Sequence, residues 1–423
     1  MIVQKLKGLP SSDIETFHSW VRCLFFAQTI FFHFNTILAI PGLAIMKAGI
    51  LALTIGFFVC DFLFWHTVPH SHGFFPILVS EILLGVSLML HSGTPGVSLR
   101  GMYLGIHFLI FLLVPLSFSQ EHIDHEQNVM FIIGLIAAMV PLIGSFVVGF
   151  LARGIEPNNG PWFWDSMHHL WMGSNPNRWG RVIAILLMML FFLIATCKKP
   201  IIRNTSLIML VPASISLFFF QCRGALYFLF AFLFIYSFCL LYGKPKKQIL
   251  LLVGWGGIGL LGLLMLSLLK GHADEFHLLE PPQSTSARTP IWLSALCVIR
   301  DNPLFGISIK DLLTRYSETV PIVFMGGNTH NEALSLALHG GIPLGCLVFG
   351  IFGYCLLYPL YKARSLFESN RFRFLYALLA ALIVQGLVEQ SIVYYNKMTA
   401  PVYFVVTGYI LYEIGTFKQK TRT

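Results

Sequence analysis

Charged residues are scarce in this chain, and their scarcity excludes a soluble globular protein. Only 11% of the 423 residues are Asp, Glu, Lys or Arg, whereas 56% are hydrophobic. Soluble domains carry about a quarter charged residues. Apolar runs of roughly 20 residues, long enough to cross a bilayer as helices, recur from one end to the other. The composition therefore predicts a multi-pass membrane protein.

Motifs for nucleotide and disulfide chemistry are missing from the chain. A metal-like cluster of Asp61, His66, His70 and His72 is expected to be an interfacial histidine-rich loop, with a metal site as the alternative. The eight cysteines are scattered without a CxxC pair, which indicates buried apolar side chains and predicts neither a zinc site nor a disulfide framework. The chain lacks a P-loop, a GxGxxG fingerprint and a nucleophile elbow. We therefore predict no metal and no cofactor. The net charge of +9 follows from membrane topology, so it does not indicate nucleic acid as a partner.

The apolar runs predict an all-α transmembrane bundle of about 12 spans. The first apolar run is too long for a cleavable signal peptide and is expected to remain as a span. We place the spans near residues 20–40, 43–64, 74–92, 100–118, 128–152, 181–197, 201–220, 222–242, 248–269, 330–356, 372–391 and 398–416. The spans around Gln221 could also form one broken helix.

These spans define three regions. Residues 1–269 form a transmembrane region of about nine spans, which includes an external segment at 153–180. Residues 270–329 form one large external loop with short helices, between spans 9 and 10. Residues 330–423 form a C-terminal region of about three spans.

Lysine and arginine cluster in the loops on one side of this arrangement, which identifies that side as cytoplasmic. Both termini are then cytoplasmic, and the long loop faces outwards. An acidic and histidine-rich stretch at 121–126 falls in a cytoplasmic turn, where we expect it to be solvated. The cationic positions are Lys5, Lys7, Lys198, Lys199, Arg203, Lys244, Lys246, Lys247, Lys362, Arg364, Arg371, Arg373, Lys418, Lys420 and Arg422.

The end of the long loop carries the strongest candidate for a catalytic base. Thr329 and Glu332 have the spacing of a capping box, which predicts that a helix begins there and that His330 lies on its first turn. The exposed amides and the positive dipole end would keep the imidazole uncharged and able to accept a proton. A capping role without chemistry is the alternative for His330. His339 is expected to pack beside a kink.

Arginines supply candidates for binding a phosphorylated lipid. Arg223 lies between apolar runs, where a charged side chain usually faces a cavity, although snorkelling to the interface is the alternative. Arg288 lies just before a predicted helix at about 290–300, with Thr289 as its cap and Pro290 at its first position. Arg178 and Arg181 lie at the outer end of a span, within reach of a phosphate or a sugar.

The long loop has the pattern of a lid on the bilayer. Ile291, Leu296 and Ile299, with Trp292, recur on one face of its helix and are expected to rest on the membrane surface. A turn at 301–306 and a short helix near 308–317 follow.

Three short motifs, in this order and topology, resemble those of the O-antigen ligase and polymerase superfamily of bacterial envelope glycosyltransferases. The motifs are the Arg-Gly-Ala run at Arg223, the segment 287–292 followed by Asn-Pro-Leu-Phe-Gly at 302–306, and His-Asn-Glu-Ala-Leu at 330–334 followed by Gly340 and Gly341. A serine commonly precedes the Arg-Gly pair in the superfamily, whereas this chain has Cys222.

The resemblance implies an O-antigen ligase of lipopolysaccharide biosynthesis in the bacterial inner membrane. Its donor would be a glycan on undecaprenyl diphosphate and its acceptor lipid A-core oligosaccharide, joined at the periplasmic face with inversion and without metal or ATP. His330, Arg288 and Arg223 would be catalytic. Substrate-binding positions would be Arg178, Arg181, Asn331, Glu332 and Trp292.

Two kinds of alternative function stay open. An O-antigen polymerase or a protein O-oligosaccharyltransferase of the same superfamily would differ only in the acceptor. A lipid-linked oligosaccharide flippase or another transporter would need paired repeats and ionisable or broken-helix sites near the bilayer midplane. The chain shows no such repeat, and its candidate residues lie at the outer rim of the spans.

Overall fold

The computed structural model is helical throughout the part of the chain that it describes. It describes residues 11–31, 120–153, 176–220, 223–268, 283–316, 329–387 and 399–421, together with a few single positions between 42 and 56. Within these ranges no residue lies in a β-strand. The predicted spans near 43–64, 74–92 and 100–118 lie outside them, apart from those single positions.

Eleven α-helices are described. In chain order they are α1 (Ser11–Phe31), α2 (Gln120–Arg153), α3 (Pro176–Thr196), α4 (Pro200–Phe220), α5 (Arg223–Leu240), α6 (Pro245–Leu268), α7 (Gln283–Asp301), α8 (Ile309–Arg315), α9 (Glu332–Lys362), α10 (Asn370–Gly386) and α11 (Thr399–Lys420). A short 3₁₀ helix, Arg364–Glu368, precedes α10.

Three of the described helical segments are long and apolar enough to cross a membrane. They are His122–Val140 in α2, Glu332–Lys362 in α9 and Thr399–Lys418 in α11. Shorter apolar segments are Gly180–Thr196 in α3 and Gly224–Leu240 in α5. These helices indicate a membrane protein; the total number of spans and their orientation stay predictions.

Contacts divide the chain into two compact units. The first comprises Met1–Val140, Pro290–Ala363 and Gly386–Thr423, and the second comprises Pro141–Thr289 and Arg364–Gln385. In the second unit α3, α4 and α5 pack together, and the ring of Phe374 lies at its aromatic centre. The centroid of that ring is 5.2 Å from Phe192 and 4.9 Å from Phe232.

A buried ion pair joins three helices of the first unit. Arg22 of α1 pairs with Glu126 of α2, and both side chains are fully buried. The hydroxyl of Tyr409, on α11, donates a hydrogen bond of 2.8 Å to the same carboxylate oxygen of Glu126. The guanidinium carbon of Arg22 lies 5.8 Å from the centroid of the Tyr409 ring. Segments separated by 104 and 283 residues therefore meet at one polar point.

The predicted solvated turn at 121–126 is wrong. These residues form the first turns of α2, and Glu126 faces the protein interior. The helix includes this stretch, and the buried carboxylate of Glu126 has Arg22 as its counter-charge.

Candidate functional site

The turn before α9 places His330 outside the helix. Asn331, with an extended backbone, is the N-cap, and its side-chain oxygen accepts a hydrogen bond of 3.0 Å from the amide of Leu334. The helix begins at Glu332, so the predicted capping box of Thr329 and Glu332 is wrong by two residues. His330 has a left-handed backbone, with φ of 49°, instead of lying on the first turn.

Thr329 takes a different role from the predicted cap. Its buried hydroxyl donates to the carbonyl of Asn331 at 2.6 Å and accepts from the amide of the same residue at 3.2 Å. Because that hydroxyl has one hydrogen, the 2.6 Å contact with the Ser335 hydroxyl must be donated by Ser335. The carbonyl of Thr329 accepts a hydrogen bond of 2.9 Å from the indole nitrogen of Trp292. His330 is therefore held between two fixed neighbours.

The Asn331 side chain also ties this turn to the end of α10. Its amide nitrogen donates to the carbonyl of Leu387 at 3.0 Å. The adjacent Gly386 permits a close approach: a β-carbon there would lie 2.9 Å from the Tyr403 hydroxyl and 3.3 Å from the β-carbon of Glu332. Glu332 itself is buried.

Helix α7 packs against the start of α9 through a small apolar core. The core consists of Ile291, Ala295, Val298, Ile299, Ile307, Leu312 and Leu338. The predicted membrane-facing surface of α7 is therefore wrong, because Ile291 and Ile299 are buried in this core and Leu296 lies on the exposed side. The helix also begins at Gln283, so Pro290 lies inside it instead of at its first position.

The segment after α7 docks at a break in α9. Gly341 has φ of 84° and ψ of 162°, which interrupts the helix. Two backbone hydrogen bonds cross this junction, from Ile307 to the carbonyl of Leu338 at 2.7 Å and from Ile342 to the carbonyl of Pro303 at 2.8 Å. The loop thus binds backbone groups beside the break.

His339 lies at the same junction, as predicted for a residue beside a kink. Its Nδ1 is 3.1 Å from the carbonyl oxygen of Ile307. A carbonyl only accepts, so Nδ1 carries the hydrogen of this bond. The imidazole thereby fixes the loop to α9.

A polar cluster closes the turn after α7. The Asn302 side chain donates to the carbonyl of Val298 at 3.0 Å and to the Tyr316 hydroxyl at 3.2 Å. The Tyr316 hydroxyl in turn donates to Asp301 at 3.2 Å. Burial raises the pKa of Tyr316, so its hydroxyl stays protonated and able to donate well above neutral pH. The predicted turn at 301–306 and the following short helix, Ile309–Arg315, are confirmed.

Substituting Gly341 with alanine should undock the loop from α9. A β-carbon there would lie 2.1 Å from the carbonyl oxygen of Leu304, and the backbone lies in a region that only glycine adopts readily. We expect the free energy of unfolding to fall by about 2–4 kcal/mol. Thermal unfolding of the purified protein in detergent measures this loss.

Gly353→Ala is the matched control, since it lies in the same helix and a β-carbon there would meet nothing within 4 Å. It should leave the midpoint unchanged or raise it slightly. Equal effects of the two substitutions would refute the docking argument.

The structure places the predicted arginines in the second unit. Arg223 is the first residue of α5, and Arg178 and Arg181 lie in the first two turns of α3. Arg181 is buried; the side chains of Arg178 and Arg223 are outside the described part. Arg288, partly exposed, lies inside α7 instead of before it.

The first unit brings together Trp292, Asn331 and Glu332 around the His330 turn. Within α7, Arg288 precedes Trp292 by four residues, a spacing that puts two side chains on one face of a helix. Sequence reasoning missed Ser335, whose hydroxyl contacts Thr329, and Tyr403, whose hydroxyl lies near Gly386. The signal available for Ser335 was a hydroxyl on the inner face of an apolar helix.

The central part of the chain is similar to a known family. The family described as O-antigen ligase matches residues 207–349. This match extends from α4 into α9, and it includes Arg223, Arg288 and His330. It confirms the resemblance to the O-antigen ligase and polymerase superfamily. No curated protein and no solved structure matches the chain significantly.

Proposed function

We propose that this protein is an O-antigen ligase of the bacterial inner membrane. It transfers a glycan from undecaprenyl diphosphate to lipid A-core oligosaccharide at the periplasmic face, with both termini in the cytoplasm. The observation that carries the proposal is the family match over residues 207–349. The apolar helices α2, α9 and α11 support a membrane location, and the clustering of lysine and arginine supports the orientation.

His330 is the proposed general base. The acceptor hydroxyl attacks C1 of the donor sugar, its proton passes to the imidazole, and the bond between C1 and the diphosphate oxygen breaks with inversion. A base works best when its geometry is fixed in advance. The hydrogen bonds of Thr329 and Asn331 support this role because they fix the backbone on both sides of His330.

Arg223 and Arg288 are the proposed ligands of the diphosphate. Breaking the C1–O bond leaves negative charge on the departing diphosphate, and guanidinium groups bind phosphate oxygens with paired hydrogen bonds. The donor is already activated, so transfer requires no ATP, and the two cations offset the charge that a metal would otherwise neutralise. Arg178, Arg181, Asn331, Glu332 and Trp292 are the proposed contacts to the glycans. The i, i+4 spacing of Arg288 and Trp292 supports a shared surface.

Reconstituted transfer tests the choice of acceptor. The purified protein in lipid nanodiscs would receive a glycan on undecaprenyl diphosphate, with a chelator present and no nucleotide. Three acceptors would be offered separately: lipid A-core, a second lipid-linked repeat unit, and a peptide with serine and threonine. We expect a product on lipid A-core alone, detected by its increased mass.

The other outcomes of this assay reassign the function. A lengthened lipid-linked glycan would identify a polymerase, and a glycosylated peptide would identify a protein O-oligosaccharyltransferase. Movement of the donor glycan across proteoliposome membranes without any transfer product would favour the transporter.

A further inference from the structure

Helix α9 is longer than a bilayer requires, and its break divides it unequally. The whole helix has 31 residues. From Ile342, just after the break, to Lys362 it measures about 32 Å at 1.5 Å per residue, close to the hydrocarbon thickness of about 30 Å. The turns between Glu332 and Gly341 add up to about 15 Å beyond that length. The length alone suggests that α9 enters the membrane at its break.

Solvent exposure along α9 marks the same boundary. No residue from 332 to 341 is exposed, whereas a stripe of exposed residues starts immediately after the break. The stripe has the spacing of one helix face, as expected of a surface that contacts lipid. It consists of Ile342, Cys346, Gly350, Leu357 and Tyr361.

The opposite end of this stripe has the features of a membrane interface. Tyr361 is 71% exposed, and Lys362 follows it at the end of the helix. The ammonium group of Lys418 lies 5.3 Å and 4.7 Å from the ring centroids of Tyr354 and Tyr358. Tyrosines and lysines of this kind concentrate at the boundary between hydrocarbon and headgroups. The Tyr361 end of the lipid-facing stripe therefore has the features of a membrane–water interface.

At the break end, two apolar residues of the docked loop are exposed beside the stripe. Leu304 is 62% exposed and Phe305 is 40% exposed. The hydrogen bond from the amide of Ile342 to the carbonyl of Pro303 holds them at the level of Ile342, which is itself 44% exposed. The close contact of Gly341 with the Leu304 backbone fixes the same level.

We propose that Leu304 and Phe305 insert into the acyl-chain region of the adjacent leaflet and hold the loop at the membrane. The occupant is phospholipid, because the apolar pair continues the lipid-facing stripe of α9. The His330 turn then stands up to about 15 Å above the hydrocarbon, at the level of headgroups and attached sugars. This inference does not depend on the proposed transfer reaction.

Leu293 provides a matched control on the same loop. It is 59% exposed, nearly as much as Leu304, but it follows Trp292, which is hydrogen-bonded to Thr329 beside His330. Leu293 thus lies at the far end of the docked segment. The proposal assigns these two leucines, similar in chemistry and exposure, to different depths.

Photo-crosslinking to lipid in nanodiscs tests the assignment. Benzoylphenylalanine would be introduced singly in place of Leu304, Phe305, Ile342 or Leu293 in the full-length chain, with phospholipid as the only lipid present. After irradiation, intact mass would report protein–phospholipid adducts. We expect adducts at Leu304, Phe305 and Ile342, and a yield at least tenfold lower at Leu293. A second set of nanodiscs would also contain undecaprenyl diphosphate.

The outcomes separate the proposal from its competitors. Absence of phospholipid adducts at Leu304 and Phe305, with or without adducts at Ile342, would overturn it. So would adducts at Leu293 equal to those at Leu304, because the loop would then lie flat on the membrane. Adducts at Leu304 that form only with undecaprenyl diphosphate would assign the surface to the donor chain instead. None of these results depends on glycan transfer, so a failed transfer assay leaves them interpretable.

Discussion

Replacing His330 with asparagine should lower the rate of glycan transfer by about 10²- to 10⁴-fold, the usual contribution of a general base. Asparagine suits the test because it tolerates the left-handed backbone that His330 adopts, with φ of 49°. The fold should therefore survive while the proton acceptor is lost. Initial rates in the nanodisc assay, at saturating donor and acceptor, measure the effect.

A comparison with His330→Gly and His330→Ala separates chemistry from backbone strain. Glycine relieves the steric cost of about 1–2 kcal/mol that a β-carbon causes in this backbone, whereas alanine keeps the β-carbon that His330 already has. If His330 is the base, all three variants lose transfer, and the glycine variant does so without any steric strain in the turn. Full transfer by the asparagine or glycine variant would remove His330 from the mechanism and leave it a role in the turn.

Replacing Glu126 with alanine should destabilise the protein by about 3–5 kcal/mol, because the Arg22 guanidinium would be left buried without its counter-charge. The Tyr409 hydroxyl would lose its acceptor as well. Among substitutions outside the proposed site, we expect Glu126→Ala to lower the midpoint of thermal unfolding in detergent the most.

Removing both charges provides the control for this prediction. The double variant Arg22→Met with Glu126→Leu keeps the volume of the two side chains and leaves no buried charge, so it should recover most of the lost stability. A double variant as unstable as Glu126→Ala would show that the shape of the ion pair, and not its charge balance, holds α1 against α2.

The positions of most described helices could be predicted from the sequence. The predicted spans at 201–220, 222–242 and 248–269 correspond to Pro200–Phe220, Arg223–Leu240 and Pro245–Leu268. Long apolar runs are a strong signal because the backbone in a membrane must satisfy its own hydrogen bonds. The sequence predicts a kink beside His339 and the break lies at Gly341, but the loop that binds the polar groups of this break could not be identified from the apolar run.

The details of the site were less predictable, because they depend on contacts between distant segments. The spacing of Thr329 and Glu332 fits a capping box, but Asn331 lies between them and is a stronger N-cap. Trp292 binds the carbonyl of Thr329, and Ser335 binds its hydroxyl. A local pattern ranks possible caps; it does not include partners 37 residues away.

The amphipathic face of α7 shows the same limit. The pattern identified an apolar face correctly but assigned it to lipid, whereas Leu338 and the start of α9 cover it. An apolar stripe reports burial without naming the partner. Likewise, the local pattern at 121–126 predicts a solvated turn, because the counter-charge of Glu126, Arg22, is 104 residues away.

Helix α11 carries two tyrosines, and each of them lies near a different buried carboxylate. Tyr403 lies near Gly386 and Glu332, and Tyr409 contacts Glu126, six residues or about 9 Å further along the axis. A sliding or rotation of α11 would disturb both levels together. The C-terminal helix is therefore more than a hydrophobic anchor. A chimera that replaces it with an unrelated transmembrane segment would lose the Tyr409 hydrogen bond to Glu126 and the tyrosine beside Gly386.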